Sequence, residues 1–401
     1  MKRFWAIFLC MILTLGLLSG CKAKDAVSKP KKSEDAPKVE PYEAVKTYWK
    51  DEQLTQSWPK TEAVEHIFFH PVIAYPQWAF HDCKISTAQR NGLDDWMLTA
   101  EEYKKILNAL YEKDYILVAI EDVWHEEDGR MVRSDLQLPE GKKPLIFSFD
   151  DVNYYDYMLA QGFTSKLTLG KDGEIWAECT DPYTGETSLT QDLDAVTILD
   201  RFVLDHPDFS LNGAKAILSL TGYQGILGYR TQNDRDIAPD SPDRPAFEAF
   251  RDGEIKAVRP IIKRLKETGW TFGSHTWGHI NLANKPFSYI VRDTERWAEE
   301  VGSLVGETDI LFYPHGARPD GNDWKKTGET FTYLQEQGFR VFCSVGTSSF
   351  TAIKPDICAV ICDRLHPDGT TLRRARDKYL KFYDAKDIID LSVRPDLGVK
   401  W

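Results

Sequence analysis

Short apolar runs of strand character alternate with amphipathic helical stretches through most of this chain, and this rhythm limits the folds open to it. The predicted strands are 115–120, 145–149, 216–220, a run entering His275, 310–313 and 341–343; the predicted helices are 101–111, 255–268, 289–304 and 331–337. A repeated strand-then-helix order is typical of a parallel sheet closed, or nearly closed, by helices. Pro260 either interrupts its helix or begins a second one. We therefore predict an α/β fold, whose functional side chains lie at the C-terminal ends of the strands.

Two segments that follow such runs carry candidate metal and acid–base chemistry. Asp150 and Asp151 end one run, and His275 and His279 end another. Zinc takes three protein ligands from imidazole and carboxylate groups and keeps a position open for water or substrate. Side chains four residues apart share a face if the segment makes a helical turn, so both imidazoles can reach one ion. One aspartate can complete the ligand set while its neighbour accepts a proton from water.

Each motif also has a simpler explanation. Asp150 and Asp151 alone are typical of a loop or a helix cap, and a spaced histidine pair alone is common on protein surfaces. What favours the functional interpretation is that both motifs follow strand-like runs, in the order of a known family.

Three segments carry this resemblance: Pro144–Asp151, Thr271–His279 and Phe312–Gly316. They are similar to successive motifs of the NodB-type polysaccharide deacetylases, carbohydrate esterase family 4, over residues 144 to 375. The resemblance implies a distorted, incomplete (β/α) barrel with an N-terminal extension. It also implies hydrolysis of N-acetyl groups, or sometimes O-acetyl groups, on glycans.

Carried over residue by residue, the resemblance makes Asp150 the catalytic base and Asp151, His275 and His279 the metal ligands. The implied cofactor is a divalent metal, with zinc expected and cobalt or manganese as alternatives. The backbone N–H of His315 would help to hold the developing oxyanion, a role that tolerates a change of side chain.

The chain departs from the family pattern at three positions within or beside these motifs. Val152 stands where a glycine usually follows the second aspartate. Phe312 stands where many members carry an arginine that orients the base, and His315 stands where they carry an aromatic residue. The residue that orients Asp150 is therefore left unassigned.

The general acid has three candidates. The resemblance implies a histidine near the end of the domain, and His366 lies about there. Arg364 occupies a place that is usually apolar, and some relatives carry an arginine on this strand, so Arg364 is an alternative functional residue. His70 also closes an apolar run, but a hydrogen-bonded core histidine explains it as well.

The N-terminus predicts where the protein works. Residues 1–20 combine a basic start with a short apolar run, and Leu18–Cys21 resembles a bacterial lipoprotein signal. This implies cleavage before Cys21 and a lipid on its sulfur, which would anchor the chain to the membrane outside the cytoplasm; an uncleaved anchor is the alternative. Residues 21–45 are polar and charged and predict a disordered linker. An N-terminal extension packed on the barrel (46–143) and the deacetylase domain (144–401) follow.

Composition bounds the partners. The net charge of −12 argues against nucleic acid, which requires a basic surface, and is silent about neutral glycans. Five of the seven cysteines remain if Cys10 is removed with the signal and Cys21 is lipidated, so at least one thiol is free. Burial in a strand is the prediction for Cys358 and Cys362. The sequence leaves the oligomeric state open.

We therefore predict an enzyme, a metal-dependent hydrolase that removes N-acetyl groups from a cell-surface polysaccharide such as peptidoglycan or poly-N-acetylglucosamine. One alternative is a non-catalytic carbohydrate-binding or wall-scaffold lipoprotein on the same fold. Another is an O-acetyl esterase that acts on xylan-like glycans. Candidate sugar-stacking rings, each more often found in a core, are Trp78, Trp124, Tyr154, Tyr155 and Trp277.

Overall fold

A computed structural model describes residues 41–82, 85–181, 183–234 and 236–395. Its strands are β1 (Gln56–Ser57), β2 (Glu65–Phe69), β3 (Tyr115–Leu117), β4 (Trp124–Glu127), β5 (Arg130–Arg133), β6 (Gln137–Leu138), β7 (Lys143–Asp150), β8 (Lys166–Leu169), β9 (Ile175–Thr180), β10 (Thr187–Thr190), β11 (Ile217–Leu220), β12 (Thr271–Ser274), β13 (Ile310–Phe312), β14 (Val341–Val345), β15 (Thr351–Lys354) and β16 (Ala359–Arg364).

Helices and single helical turns connect these strands. They are α1 (Pro41–Lys46), α2 (Pro76–His81), α3 (Thr87–Trp96), α4 (Ala100–Glu112), α5 (Ile120–Val123), α6 (Asp156–Leu159), α7 (Ala195–Asp205), α8 (Arg244–Glu267), α9 (Phe287–Trp297), α10 (Ser303–Val305), α11 (Pro319–Asn322), α12 (Glu329–Glu336), α13 (Gly369–Arg374), α14 (Arg376–Tyr379) and α15 (Ala385–Ile388).

The main sheet confirms the predicted distorted, incomplete barrel. Its strand order is β15-β16-β14-β13-β12-β11-β7-β2, with β3 beside the start of β7, and every pairing is parallel except β15 with β16. The two sides of the sheet meet where the Phe68 N–H donates to the Leu365 carbonyl and the Leu365 N–H donates to the His66 carbonyl, both at 2.9 Å. Two backbone hydrogen bonds therefore join β2 to the residue that follows β16.

The apolar runs become central strands because both of their faces are covered. Seven of the eight residues of β7 are buried, as are all residues of β11 and β13. Continuous burial is what parallel strands between helices require. The predicted helix 101–111 is confirmed as α4, which begins with a capping box between Thr99 and Glu102.

Several predicted boundaries were wrong. β2 and β3 pair with β7, so the sheet crosses the boundary predicted at residue 144, and the segment 46–143 supplies strands of the barrel. The linker predicted to reach residue 45 ends earlier, because Tyr42 and Val45 of α1 are buried in the core. Helix α8 begins eleven residues before the predicted start and continues through Pro260, which is exposed, so the missing N–H costs no buried partner.

The predicted signal peptide, Cys21 and residues 22–40 of the predicted linker lie outside the described residues. Within the described ranges, no helix is both long enough and apolar enough to cross a membrane. Cys343 and Cys362 lie opposite each other on β14 and β16 with their sulfurs 3.2 Å apart, and both are buried free thiols. The burial predicted for Cys362 is confirmed, whereas Cys358 is partly exposed.

Candidate active site

The predicted site residues meet in one cleft at the C-terminal edge of the barrel. The cleft has a volume of about 660 Å³. Its polar lining consists of His70, Asp150, Asp151, Gln89, Gln161, His275, His279, Tyr313, His315, Tyr157 and His366. Each of the three sequence motifs therefore contributes side chains to the same space, as expected for strand ends in a barrel.

Asp150, the predicted base, is buried and bound by a guanidinium group. Arg364 donates from Nη1 to Asp150 Oδ1 at 2.7 Å and from Nη2 to Oδ2 at 2.8 Å. The Arg364 side chain is fully buried. This two-pronged geometry fixes the plane of the carboxylate as well as its charge.

The position of Arg364 answers the question that the sequence left open. Its guanidinium carbon lies 4.1 Å from the ring centroid of Phe68 and 4.5 Å from that of Phe312. Nη1 also donates to the hydroxyl of Ser148 at 3.0 Å. Phe312, which occupies the usual arginine position on β13, thus packs against an arginine that comes from β16. Arg364 contacts the predicted base rather than offering a second acid.

Burial and charge set the ionisation of Asp150. Burial raises the pKa of its carboxyl group, but Arg364 and His275 lower it more, and the net pKa is below the ordinary value. The same balance applies to Asp151. Burial raises the pKa of its carboxyl group, but His279 and His275 lower it by more, so the net pKa is below the ordinary value. Both carboxyl groups are therefore ionised at neutral pH.

The predicted metal ligands lie within reach of one ion. The ligand atoms of Asp151, His275 and His279 are all within 4.8 Å of one another, and His279 Nε2 is 3.7 Å from Asp151 Oδ2. His275 Nδ1 hydrogen-bonds the Phe312 carbonyl at 3.0 Å, which fixes Nδ1 as the protonated nitrogen and leaves Nε2 for a metal. Two imidazoles and a carboxylate are a donor set that fits zinc.

The histidine pair is not on a helical turn, contrary to the expectation from its spacing. His275 follows β12, and the backbone then passes through left-handed conformations at Thr276 (φ 60°) and His279 (φ 48°). The Thr276 hydroxyl accepts the Ile280 N–H at 3.0 Å. A conformation that is costly for a β-branched residue survives when its surroundings fix it, and such residues cluster at functional sites.

Helix α9 and the π-helical turn that follows it (Ala298–Gly302) support this loop. Asp293 accepts the backbone N–H groups of Trp277 at 2.7 Å and Gly278 at 2.9 Å. Glu300 accepts the indole N–H of Trp277 at 3.0 Å, and Arg296 lies 3.4 Å from that ring. Trp277 was a candidate sugar-stacking ring, but its indole instead binds Glu300 and packs against Arg296. Because Trp277 and Gly278 lie between the two histidines, this support fixes the backbone that positions both imidazoles.

Asp151 also has a left-handed backbone (φ 61°) and a fixed side chain. The Tyr155 hydroxyl donates to Asp151 Oδ1 at 2.6 Å, which leaves Oδ2 facing the histidines. Tyr155 was a candidate sugar-stacking ring but is buried. Val152, at the usual glycine position, belongs to the hydrophobic core.

The acid candidates form a hydrogen-bonded row. Asp368 Oδ2 is 3.1 Å from His366 Nδ1, and His366 Nε2 is 2.9 Å from His70 Nδ1. His366 stacks on Phe68 with ring centroids 4.4 Å apart. Both nitrogens of His366 are therefore engaged, whereas His70 Nε2 faces Asp151 Oδ2 across 3.9 Å. Burial, followed by the charge of His366, lowers the pKa of His70 to about 4.

The remaining candidate residues differ in whether they reach the cleft. His315 lies in the cleft, its ring 4.5 Å from that of His279, with a left-handed backbone (φ 59°). Trp78, Trp124 and Tyr154 are buried, so the sugar-stacking role considered for them was wrong. The exposed rings at the cleft, which sequence reasoning missed, belong to Trp96 and Tyr157.

Comparisons with known proteins find similarity to polysaccharide deacetylases. Residues 243–339 match the family model described as polysaccharide deacetylase; this span contains His275, His279 and His315 but begins after Asp151. Among solved structures, the chain is similar to the deacetylase PplD of Streptococcus pyogenes in complex with acetate (12% identity, 77% of this chain and 94% of that chain, TM-score 0.37). It is also similar to polysaccharide deacetylases from Bacillus anthracis (BA0330; 12% identity, 77% and 66%, TM-score 0.39) and Bacillus cereus (BC0361; 10% identity, 82% and 69%, TM-score 0.40). No curated protein matches the chain.

Proposed function

We propose that this chain, a member of the polysaccharide deacetylase family, is a metal-dependent hydrolase that removes N-acetyl groups from a cell-surface polysaccharide of the peptidoglycan or poly-N-acetylglucosamine type. One observation carries the proposal. A carboxylate fixed by a buried guanidinium lies beside a set of two imidazoles and a second carboxylate, in a cleft large enough for a sugar.

Asp151, His275 and His279 would hold the divalent metal. A bound divalent cation supplies Lewis acidity, which polarises an amide carbonyl and lowers the pKa of a neighbouring water. Zinc is the first choice because the donor set is N₂O, and cobalt and manganese are the alternatives.

Asp150 serves as the base. Because Arg364 keeps its carboxylate ionised and oriented, Asp150 accepts the proton of the water that attacks the acetyl carbonyl. The attack forms a carbon–oxygen bond, and cleavage of the carbon–nitrogen bond then releases acetate. The backbone N–H of His315 donates to the developing oxyanion, as the family resemblance implies.

The departing amine needs a proton. Because the pKa of His70 is lowered to about 4, this imidazole is neutral at rest, and it acts as the acid only after it takes up the proton that Asp150 has accepted from the water. Both ring nitrogens of His366 are occupied, so His70 Nε2 is the nitrogen of the pair that faces the cleft. Asp368 binds His366 Nδ1, and His366 Nε2 binds His70 Nδ1, so these two residues orient the His70 ring. His366, the acid predicted from the family pattern, becomes a positioning residue in this scheme.

The site of action is the cell envelope. The lipoprotein-like signal before Cys21 supports a lipid anchor and a position outside the cytoplasm. An N-acetylated glycan of the cell surface is the substrate class available there.

Acetate release tests the proposal. The protein is stripped of metal, reloaded with zinc, cobalt or manganese, and given N-acetylglucosamine oligomers, peptidoglycan or acetylxylan. We expect metal-dependent release from the N-acetylated substrates and none from Asp150→Asn. Asp205→Asn is the control, because it neutralises a carboxylate on α7 that is 62% exposed and lies outside the cleft, and it should leave release intact.

The same panel separates the alternatives. Release from acetylxylan alone would replace the amidase with an O-acetyl esterase. Binding of metal and glycan without release of acetate would support the carbohydrate-binding protein. A chain without any arginine to orient the base would favour this non-catalytic protein. Arg364 of β16 binds Asp150 and therefore favours the enzyme.

A further inference from the structure

Helix α3 forms one wall of the cleft, and its surface there is unusual. Gln89, Gly92, Leu93 and Trp96 of this helix line the cleft, followed by Met97. The Trp96 side chain is 57% exposed, which leaves a large apolar ring facing solvent beside the candidate metal ligands. Exposed aromatic rings in a cleft are often part of a binding site.

Gly92 strengthens this interpretation. It lies inside α3, where glycine weakens a helix relative to alanine. A Cβ atom built at Gly92 would meet nothing within 4 Å, so packing does not require the glycine. Its position one turn before Trp96 leaves the helix backbone open to the cleft. A ligand that lies against this stretch of backbone explains a residue that the fold does not need.

The wall is held rigidly. Asp94, two residues before Trp96, is buried and accepts hydrogen bonds from Arg373 at 2.7 Å and Arg394 at 2.9 Å. Ser86 and Gln89 form a capping box at the start of the helix. Binding on a surface that is already ordered avoids much of the entropy cost of fixing side chains.

A second exposed ring belongs to Tyr157, which is 47% exposed. It stacks on Tyr155 with ring centroids 5.7 Å apart, and Tyr155 stacks on Tyr223 at 4.8 Å. Because the Tyr155 hydroxyl binds Asp151, this stack connects the outer ring to the candidate metal ligand.

The charge of the cleft indicates which glycan fits. Among the described residues that line it, none is a lysine or an arginine, and the carboxylates are those of Asp150 and Asp151. An anionic glycan would therefore find no fixed cation in the protein lining. The apolar face of a neutral pyranose ring matches the exposed indole.

We propose that Gly92 and Trp96 of α3, with Tyr157, form a subsite for a neutral sugar next to the one being deacetylated, so that the preferred substrate is an uncharged oligosaccharide rather than a monosaccharide. This inference rests on the proposed function for its catalytic readout, but the subsite can also be tested by binding alone. Gly92→Leu fills the space beside the helix, and Trp96→Ala removes the ring. Gly253→Leu is the matched control, because Gly253 is also inside a helix and also has nothing within 4 Å of a built Cβ.

The full chain with Asp150→Asn added is used for calorimetric binding of the N-acetylglucosamine tetramer, the monomer and a hyaluronan tetrasaccharide. We expect Trp96→Ala, which removes one aromatic contact, and Gly92→Leu, which fills the space beside the helix, each to weaken tetramer binding by about tenfold. Gly253→Leu should not change it. Equal binding of the tetramer by all variants would overturn the subsite, and hyaluronan binding as tight as that of the tetramer would overturn its neutrality.

Activity supplies the second arm. With Asp150 intact, the ratio of kcat/KM for the tetramer to that for the monomer should fall about tenfold in Gly92→Leu. A purely structural role predicts the opposite pattern, since leucine is a better helix former and should raise the urea midpoint without changing this ratio. If no variant releases acetate while the binding differences persist, the proposed hydrolase fails and the sugar subsite stands.

Discussion

Replacing Arg364 with methionine removes the cation that holds Asp150 and keeps an unbranched side chain between the rings of Phe68 and Phe312. The Asp150 carboxylate would then be buried without its counter-charge. Breaking a buried pair by removing one partner costs about 3–5 kcal/mol of unfolding free energy. Since domains have about 5–15 kcal/mol in all, we expect a folded variant with a much lower urea midpoint.

The loss of unfolding free energy in Arg364→Met should depend on pH. In the metal-free protein, burial raises the pKa of Asp150, and Arg364 and His275 bring it below the ordinary value. A depressed pKa stabilises the fold above the unfolded-state pKa, and this contribution is lost as pH falls. Without Arg364, the pKa of Asp150 rises and the buried charge is penalised at neutral pH. The difference in unfolding free energy between the two proteins should therefore be largest near pH 7 and shrink below about pH 4.

A double-mutant cycle with Asp150→Asn measures the pair directly. We expect Arg364→Met and Asp150→Asn to be coupled by at least about 1 kcal/mol in urea unfolding. Arg201→Met is the control, because both Arg201 and its partner Asp205 are exposed and such a pair contributes about 1 kcal/mol or less. Additivity within about 0.5 kcal/mol would refute the claim that Arg364 and Asp150 act as a unit.

Three further perturbations follow from the same contacts. Asp293→Ala removes the acceptor of the Trp277 N–H and should weaken zinc binding about 10–100-fold, measured by competition with a chelating dye. Zinc at a hundred times its Kd should add about 2.7 kcal/mol to the unfolding free energy, and His275→Ala should abolish that gain in thermal melts. Arg394→Ala leaves the buried carboxylates that it binds without a partner, and should cost about 3–5 kcal/mol in urea unfolding; a cost below about 1 kcal/mol would contradict this network.

The strands and their terminal motifs could be predicted because they are local. A continuous apolar run such as that of β7 predicts a strand that is buried on both faces. The side chain at the end of such a strand lies at the C-terminal edge of the barrel. Asp150, Asp151, His275 and His279 were therefore expected together, and the structure brings them together.

The partners of these residues could not be predicted, because they come from distant parts of the chain. Arg364 reaches Asp150 across 214 positions, and His70 reaches His366 across 296 positions. No periodicity connects such pairs. The left-handed backbone at Thr276 was equally hidden, because the spacing of the histidines alone suggested a helix.

Barrel closure has a consequence for how this chain folds. The contacts that join β2 to Leu365 and α4 to Arg394 link residues separated by nearly three hundred positions. Such a high contact order makes folding slow, since long loops must close before these contacts form. A chain emerging from synthesis exposes its apolar strands until the last strand has been made. We expect it to depend on chaperones during that interval.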